Sequence, residues 1–442
     1  GKVGEVEPPR VVLPLSVEPD KPRLIHDARY TYLWCKSRGF CMDRVGTVPE
    51  RFRKNAFLTS YDHKSGYHAF PFHEEAMGYF GFEIGGYYFV PAAGIFGWNV
   101  IPELYHVTHA ALLEFAATVF GITGWCYLDD TLSGSGWDVP DSRSEASAGW
   151  AMELLLWLNF LAGYTISVKK SVLQPTRLIC WLGINIDSAR QTFSIPAKKK
   201  AVFMQLVQRA LGTGRISVRD LERMAGKAVS FMLAVGEAAK VFTREMFDVL
   251  SDTRGGRSSR LLHLPRRLRR VLEVWPRFLD TFDGAPWLDI MHSALRIETD
   301  ASSRRWGGVL QEGETTLIEV GEEFSAEEMS LHIECKEAIA VCKVIEGIVA
   351  IKGWGFIEGC RIDAWIYNLP LVFALAKGSS KMKGVHDVIE KLFWWKLEHH
   401  FTLAGLWWNT YANFRADGIT RTEVDGDWRL GAGIFATLWD RF

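Results

Sequence analysis

Two adjacent carboxylates, Asp129 and Asp130, carry the most specific chemistry in this sequence. They stand between apolar residues of types that favour strands, so the pair is predicted to occupy the turn of a β-hairpin. Two acids held side by side repel each other, and a divalent cation would offset their charge. An isolated Asp-Asp pair is most often a plain polar turn. Here a third acid, Asp62, ends another strand-like run at 58–61, and the sequence therefore favours a metal site.

Four segments follow one another in a fixed order along the first half of the chain. They are Asp62 with Gly66 and Tyr67, the acid pair, Lys170-Ser171, and Trp181-Leu182-Gly183. In this order they resemble the palm motifs of a reverse transcriptase. The resemblance implies an RNA-directed DNA polymerase, a nucleotidyltransferase that adds deoxynucleotides to a primer by two-metal catalysis. It also implies that Asp62, Asp129 and Asp130 are catalytic and hold two Mg²⁺ ions, with Mn²⁺ as a substitute.

The resemblance extends to residues that contact the nucleotide and the primer. The implied nucleotide-binding residues are Arg23, Lys21, Tyr67, Gly97 and Lys170. Arg23 would bind the incoming triphosphate, because a guanidinium can bind phosphate oxygens bidentately, and Tyr67 would exclude a 2′-hydroxyl. A solvated basic strand is the alternative for Arg23, and a core position is the alternative for Tyr67. Trp181 and Gly183 would belong to the strand pair that grips the primer end.

Two segments have the apolar period of a helix. In 144–163 the apolar residues on this period are Trp150, Met152, Leu155, Leu156, Leu158 and Phe160. The sequence Ser217-Val218-Arg219-Asp220 predicts a capping box, followed by a helix with Leu221, Met224, Ala225, Ala228 and Val229 on one face. By the resemblance, the first helix covers the palm sheet and the second belongs to a thumb on the minor groove of the product duplex.

A basic run follows the thumb. Between 251 and 270 the sequence has seven arginines, one aspartate and no glutamate. Such a run is commonly a solvated linker. Contact with the backbone of the duplex is the alternative, and its candidates are Arg266, Arg267, Arg269 and Arg270.

A second set of acids lies in the last third of the chain. Asp300 follows a strand-like run, Glu337 lies near the start of a predicted helix, and Asp417 follows later. Together they resemble the metal cluster of an RNase H domain, but Tyr367 stands where that family has Asp. Asp363 cannot replace it, because four residues along a strand span about 13 Å and the metals of a two-metal pair lie about 3.5–4 Å apart. We therefore expect cleavage of the RNA strand to be absent or severely reduced.

These segments predict an α+β fold, a right-hand polymerase (fingers, palm, helical thumb) followed by an α/β RNase H-like domain. The predicted domains are fingers and palm at 1–190, a helical thumb at 191–250, a basic connection at 251–293, the RNase H-like domain at 294–424 and a C-terminal tail at 425–442. The tail sequence Asp427-Trp428-Arg429-Leu430, with the thumb segment from Ser217, resembles the polymerase region of DIRS-like, tyrosine-recombinase retrotransposons. Gypsy-like long-terminal-repeat elements are the nearer rival on the palm motifs.

Length and composition limit the number of domains and the expected partners. With 442 residues, 48% hydrophobic content and a net charge of -1, the chain is long enough for two or more domains and is not uniformly basic. The expected partners are an RNA template, a DNA primer, an RNA/DNA hybrid and dNTPs, and protein partners and oligomeric state stay open. The seven cysteines include no C-x-x-C pair and favour a reduced intracellular compartment, nucleus or cytoplasm. The apolar runs are too short to span a bilayer, so no membrane partner is expected.

A function of a different class stays open. The chain could be a domesticated, noncatalytic nucleic-acid-binding or scaffold protein that retains the reverse transcriptase fold. Tyr367 supports this alternative, whereas the complete set of palm acids opposes it.

Overall fold

The computed structural model describes residues 9–18, 23–35, 39–253, 260–282, 284–287, 294–313, 315–409 and 414–421. Lys21, Arg254, Arg257 and the tail at 425–442 lie outside the described residues. The chain divides into two compact units, Gly1–Val202 with Phe282–Leu288 and Phe203–Thr281 with Asp289–Phe442.

The first unit combines short antiparallel strands with two long helices. In chain order its elements are β1 (Leu15–Val17), β2 (Leu24–His26), β3 (Leu58–Asp62), α1 (Glu74–Met77), β4 (Phe82–Ile84), β5 (Tyr87–Phe89), α2 (Ile101–Phe120), β6 (Thr123–Tyr127), β7 (Asp130–Gly134), α3 (Asp141–Leu161), β8 (Val172–Thr176), β9 (Leu178–Trp181), β10 (Ile184–Asp187) and β11 (Thr192–Ser194). One short 3-10 turn, Gly66–Ala69, follows β3, and another, Val168–Lys170, precedes β8.

The central sheet of this unit has the strand order β6-β7-β3-β8. Strands β6 and β7 pair antiparallel, with Tyr127 opposite Asp130, so the predicted hairpin with the acid pair at its turn is confirmed. A buried cluster joins this sheet to α2 and α3 through Tyr61, Leu113 and Leu155. The sheet and the two helices therefore form one core, and the hairpin turn lies at the end of it.

Helix α3 confirms the helix predicted at 144–163 but not its buried face. Met152 and Leu155 are buried, whereas Trp150 is 51% exposed and Phe160 is 70% exposed. The buried side of α3 includes the polar residues Ser144 and Asn159 instead. The prediction followed apolar residue types, while the packed face of this helix contains small and polar side chains.

The second unit begins within α4. Its elements before residue 282 are α4 (Ala197–Thr213), β12 (Arg215–Ser217), α5 (Val218–Ser230), α6 (Met232–Val235), α7 (Ala238–Val241), α8 (Arg244–Asp252), β13 (Leu261–His263) and α9 (Arg266–Thr281). The next strand, β14 (Ala285–Pro286), belongs to the first unit and completes a sheet of order β14-β11-β10-β9.

Helix α5 begins where the sequence predicts. The Ser217 hydroxyl accepts the Asp220 backbone N–H at 3.0 Å, which caps the helix. Leu221 and Met224 of the predicted face are buried, whereas Val229 is 42% exposed. The segment predicted as a basic connection contains α9, a helix that buries Leu272, Trp275 and four further apolar side chains.

The rest of the second unit is a mixed sheet with helices. Its elements are β15 (Ala294–Ala301), β16 (Arg305–Glu312), β17 (Thr315–Glu323), α10 (Ala326–Met329), α11 (Ile333–Lys352), β18 (Arg361–Ile366), α12 (Leu369–Lys377), α13 (Lys383–Glu398), β19 (Thr402–Trp407) and α14 (Phe414–Thr420). The strand order is β17-β16-β15-β18-β19, with β18 parallel to both β15 and β19. A Cβ on Gly308 would clash with Val344 of α11, and one on Gly307 would clash with Ile419 of α14. These two glycines let helices pack closely on opposite faces of β16.

The thumb-like helices and the RNase H-like part of the second unit share a core. Phe242 contacts Phe393 with ring centroids 5.3 Å apart, and His386 Nε2 donates to the Val241 carbonyl at 3.1 Å. None of the helices in the described part of the chain is both long and apolar enough to cross a membrane.

Candidate active site

Strands β3 and β7 bring two of the predicted catalytic acids level with each other. The antiparallel register places Asp62 opposite Asp130. Cβ atoms of such partners lie about 4.5–5.5 Å apart. Asp62 is only 8% exposed, and both Asp129 and Asp130 are half-buried. The three carboxylates therefore share a small and partly desolvated volume.

The hairpin turn has a strained backbone. Leu128 has a φ of 53°, in the left-handed region, which costs a residue with a Cβ about 1–3 kcal/mol. The Leu128 carbonyl accepts a hydrogen bond from His109 Nδ1 at 3.0 Å, and the Asp129 carbonyl accepts one from the His63 N–H at 3.0 Å. These bonds tie both turn carbonyls to residues of the surrounding core.

The carboxylates raise one another's proton affinity. Burial, followed by the charges of Asp129 and Asp62, raises the pKa of Asp130 to about 6. Burial also raises the pKa of Asp129, with the charge of Asp62 contributing. Lys170 Nζ lies 2.9 Å and 3.1 Å from the two carboxylate oxygens of Asp62. The Lys170 ammonium therefore forms an ion pair with the Asp62 carboxylate.

The donor set fits a divalent metal in its chemistry. Carboxylate oxygens are the protein ligands that Mg²⁺ uses, and the Lys170 ammonium is a stand-in cation at Asp62. Among the residues that the structure describes, no group of three His, Cys, Asp or Glu side chains is gathered in a ready-made metal geometry. Asp62 and Asp130 are thus level in register, and the lysine pairs with Asp62.

A cavity of about 940 Å³ adjoins these acids. Its lining includes four predicted site residues, Arg23, Tyr67, Asp129 and Lys170. The Tyr67 ring lies 4.9 Å from Phe96 and 5.6 Å from Tyr105 between centroids, and it is half-buried. The Arg23 guanidinium lies over the Phe96 ring at 5.1 Å. The structure therefore brings the predicted phosphate-binding and sugar-binding residues into one cavity with Asp129.

The other predicted contact residues of this unit have visible packing roles. Gly97 has a φ of 102°, and a Cβ there would clash with the His26 carbonyl, so this position requires glycine. Trp181 is 3% exposed in β9, which places its ring in the core. Gly183 lies in the turn between β9 and β10 with a φ of 75°. Their roles at the primer and nucleotide stay predictions.

The four candidate arginines begin α9 in the second unit. Arg267 Nη1 lies 3.3 Å from Glu245 and 3.6 Å from Asp387, and Arg270 Nη2 lies 2.7 Å from Glu390. Acidic residues of the same unit therefore already pair with two of the four. Arg266 is exposed and Arg269 is half-buried.

The second set of acids converges at one end of the mixed sheet. Burial and then the charge of Asp300 raise the pKa of Glu337 to about 8. Burial also raises the pKa of Asp300, while Thr420 Oγ1, which donates to it at 2.6 Å, lowers this pKa. Asp417 contributes a further repulsive charge to Asp300 and pairs with Arg421 at 2.8 Å.

Tyr367 takes the position next to this cluster. The parallel register pairs Thr299 of β15 with Ile366 of β18. Asp300 and Tyr367 directly follow these two residues in the sequence. Tyr367 is 50% exposed, and Asp363 is paired with Arg361 at 2.6 Å, four residues away from Tyr367. The structure thus places a phenol where the sequence comparison expects a carboxylate, and Asp363 is held elsewhere.

Sequence analysis missed a buried polar cluster behind the hairpin. It consists of Tyr61, His63, Tyr105, His109 and Asn159, each between 0% and 2% exposed. The available signal was helical spacing, because Tyr105 and His109 are four residues apart and therefore lie on one face of α2. The second signal was His63, which directly follows Asp62.

Comparison with known proteins identifies the fold. No protein-family model and no curated protein matches the sequence. A foamy viral protease-reverse transcriptase in complex with double-stranded DNA matches with 16% identity and a TM-score of 0.51, over 90% of this chain and 78% of that chain. A structure of that type of protein with an RNA/DNA hybrid matches with 16% identity and a TM-score of 0.51, over 94% of this chain and 52% of that chain.

A third solved structure, the foamy viral protease-reverse transcriptase dRH with double-stranded DNA, has 16% identity and a TM-score of 0.50, over 90% of this chain and 65% of that chain. This chain therefore spans less than two thirds of the length of two of these proteins. The predicted α+β fold of a reverse transcriptase with an RNase H-like domain is confirmed.

Proposed function

We propose that this chain is an RNA-directed DNA polymerase with a fused RNase H-like domain of little or no cleavage activity. The observation that carries the proposal is the register of Asp62 opposite Asp130, with Asp129 in the adjoining turn. Asp129 lines a cavity together with Arg23 and Lys170, and acids beside cationic side chains suit the transfer of a nucleotide from a triphosphate.

Asp62, Asp129 and Asp130 would hold two Mg²⁺ or Mn²⁺ ions, which when bound activate the primer 3′-hydroxyl and neutralise the departing pyrophosphate. Lys170 would exchange its ion pair with Asp62 for the phosphates of the incoming nucleotide. Arg23 would bind the same phosphates bidentately. Tyr67, supported by Phe96 and Tyr105, would fill the space that a 2′-hydroxyl needs.

The partners in this proposal are an RNA template, a DNA primer, the RNA/DNA hybrid and dNTPs. The likeness to foamy viral proteins solved with double-stranded DNA and with an RNA/DNA hybrid supports nucleic acid as the ligand class. We further propose a retrotransposon origin of the DIRS-like type, on the sequence resemblance alone, and a reduced intracellular compartment, on cysteine usage.

A noncatalytic nucleic-acid-binding or scaffold role is the second candidate, and Tyr367 favours it. A chain that had lost one RNase H acid could also have lost selection for polymerisation. The Lys170–Asp62 ion pair is compatible with this role too, because it neutralises an acid without any metal.

Primer extension separates the two functions. The purified chain would be incubated with dNTPs, Mg²⁺ or Mn²⁺, and a labelled primer annealed to an RNA or a DNA template. Extension on the RNA template supports the polymerase. Binding of the primer-template without extension under both metals supports the noncatalytic alternative.

A further inference from the structure

The five side chains of the buried cluster behind the hairpin form a continuous hydrogen-bond chain. His63 Nδ1 contacts the Tyr105 hydroxyl, and His63 Nε2 lies 2.7 Å from Asn159 Oδ1. Asn159 Nδ2 lies 3.0 Å from the Tyr61 hydroxyl, which lies 3.1 Å from His109 Nε2. His109 Nδ1 then reaches the Leu128 carbonyl at 3.0 Å. The chain of bonds therefore ends at the strained residue before the acid pair.

Elementary bonding rules fix the direction of the bonds that end on carbonyl and amide groups. A carbonyl only accepts, so His109 Nδ1 carries the proton and Nε2 of the neutral ring accepts the Tyr61 hydroxyl. Asn159 Nδ2 also donates to the Leu155 carbonyl at 2.8 Å, which fixes the amide so that Oδ1 accepts from His63 Nε2. His63 Nδ1 then accepts the Tyr105 hydroxyl. A hydroxyl can donate or accept, so the bonds of Tyr61 and Tyr105 take these directions when both histidines are neutral.

Burial favours the same protonation states. Burial lowers the pKa of His63 to about 4 and that of His109 to about 3. A fully bonded buried network is rigid, whereas a partly bonded one leaves costly unsatisfied groups. The Thr131 hydroxyl also lies close to this ring, 3.3 Å from His109 Nε2.

The other end of the network touches the nucleotide cavity. Tyr105 lies with its ring 5.6 Å from the Tyr67 ring, and it lines the cavity with Tyr67. A Cβ on Gly66 would lie 2.5 Å from the Tyr105 ring, so the chain before Tyr67 packs directly on it. One network therefore joins the floor of the nucleotide cavity to the turn that carries Asp129.

We propose that His109 is a positioning residue, which holds Leu128 in its left-handed conformation and so places Asp129 and Asp130 for metal binding. The role rests on the proposed polymerase function, since it concerns the same acids. The bond to the Leu128 carbonyl offsets the strain of a φ of 53° at a residue with a branched side chain. Without that donor the turn relaxes, and the acids lose their common position.

Two substitutions of His109 distinguish positioning from simple core packing. Asn carries its amide nitrogen at the distance of Nδ1 from the backbone, so His109→Asn keeps a donor for the Leu128 carbonyl. Gln carries its amide at the distance of Nε2, so His109→Gln keeps a polar side chain of similar size without that donor. His106→Leu is the control, because His106 is a second buried histidine of α2 whose partners are the Cys41 carbonyl and Cys126 Sγ rather than the Leu128 carbonyl.

The direct readout is Mn²⁺ affinity of the protein without nucleotide, followed by electron paramagnetic resonance. Folding is checked by circular dichroism, and primer-template binding is checked by fluorescence anisotropy. Removal of a group that orients metal ligands costs about 10- to 100-fold in metal affinity or activity. We expect a loss of that size in His109→Gln, a smaller loss in His109→Asn, parental affinity in His106→Leu, and unchanged primer-template binding in all three.

Equal Mn²⁺ affinity in the parent and a folded His109→Gln protein would overturn the positioning role. Equal losses in the Asn and Gln variants would also overturn it, because a donor at the Nδ1 position would then have no effect. If both His109 variants fail to fold, Tyr61→Phe serves as a second variant. It removes the hydroxyl that donates to His109 and changes the side-chain volume little. Unchanged Mn²⁺ affinity in Tyr61→Phe would again contradict the role. Failure of the parent to bind Mn²⁺ or to extend a primer would instead contradict the proposed function itself.

Discussion

Lys170 and Asp62 form a bidentate ion pair, with Nζ 2.9 Å from Oδ1 and 3.1 Å from Oδ2. The lysine side chain is 58% exposed, whereas the aspartate side chain is 12% exposed. The ammonium therefore covers a largely buried acid from the solvent side. In the proposed polymerase, a metal ion at Asp62 would displace this ammonium, and the displaced lysine would bind nucleotide phosphates.

The first prediction is that Lys170→Gln strengthens the binding of metal and weakens the binding of nucleotide. Mn²⁺ affinity in the absence of nucleotide should rise by up to about fivefold, because a partly exposed ion pair is worth at most about 1 kcal/mol. The KM for dNTP should rise by about tenfold, because a hydrogen bond to a charged group is lost. Lys169→Gln is the control, since Lys169 is an exposed neighbour. A fall in Mn²⁺ affinity for Lys170→Gln would contradict this competition.

The second prediction concerns sugar selection at Tyr67. Tyr67→Val removes the ring that packs between Phe96 and Tyr105 and opens space in the cavity. Incorporation of ribonucleotides relative to deoxyribonucleotides should increase by about tenfold or more, which is the scale of discrimination by side-chain volume. Tyr67→Phe keeps the ring and should keep the selectivity. Identical ratios of kcat/KM in the parent and the Val variant would show that Tyr67 is only a core residue.

The third prediction is that the stability of the second unit depends on pH because His386 titrates. Burial lowers the pKa of this imidazole below its usual 6.5, although Val241 and the charges of Glu390, Asp387 and Glu245 act against the shift. A lowered histidine pKa means that the stability from the neutral ring is complete above the unfolded-state pKa and is lost as the pH falls below it. Acidification should therefore destabilise this unit.

His386→Gln tests that dependence, because its amide can donate to the Val241 carbonyl but does not titrate. Thermal melts at about pH 7.5 and about pH 5.5 bracket the reference pKa of histidine. The Tm should fall more in the parent than in the variant, while other titrating groups affect both proteins equally. Parallel falls in the two proteins would exclude His386 as the source.

The fourth prediction is that the parent cleaves the RNA strand of a labelled RNA/DNA hybrid weakly or not at all. Tyr367 has a phenol in place of a carboxylate, and the strand register puts it beside Asp300, where two metals would need another carboxylate. Tyr367→Asp should increase cleavage if the remaining acids are intact. Asp300→Asn is the control for contaminating nuclease. Strong cleavage by the parent that disappears in this control would refute the prediction.

Local patterns predicted the elements that carry the palm acids. The hairpin followed from strand-favouring residues around Asp129 and Asp130, and the start of α5 followed from the hydroxyl of Ser217. Both depend on interactions between residues close in sequence. The positive φ of Leu128 also fits local geometry, because a two-residue hairpin loop needs it at its first residue. The hydrogen bond from His109 to the Leu128 carbonyl could not be predicted in that way, because His109 lies on another element.

Long-range partners account for most of what the sequence did not indicate. The arginine run suggested a linker or a duplex contact, but Arg267 and Arg270 pair with acids that include Asp387 and Glu390, more than a hundred residues away. The apolar period of α3 did not single out Asn159, which is polar. This residue is fully buried, and its side chain hydrogen-bonds His63. Composition and hydrophobic period cannot reveal ion-pair or hydrogen-bond partners that are distant in sequence.

The most direct test of the polymerase account is single-nucleotide addition by Asp129→Asn compared with the parent, on a primer annealed to an RNA template. The substitution removes one carboxylate charge and keeps the shape of the side chain, and Asp62→Asn serves as a second, independent acid. We predict that the parent adds the nucleotide, that both variants lose addition, and that all three proteins bind the primer-template with similar affinity. Addition by Asp129→Asn at the parental rate would contradict the account.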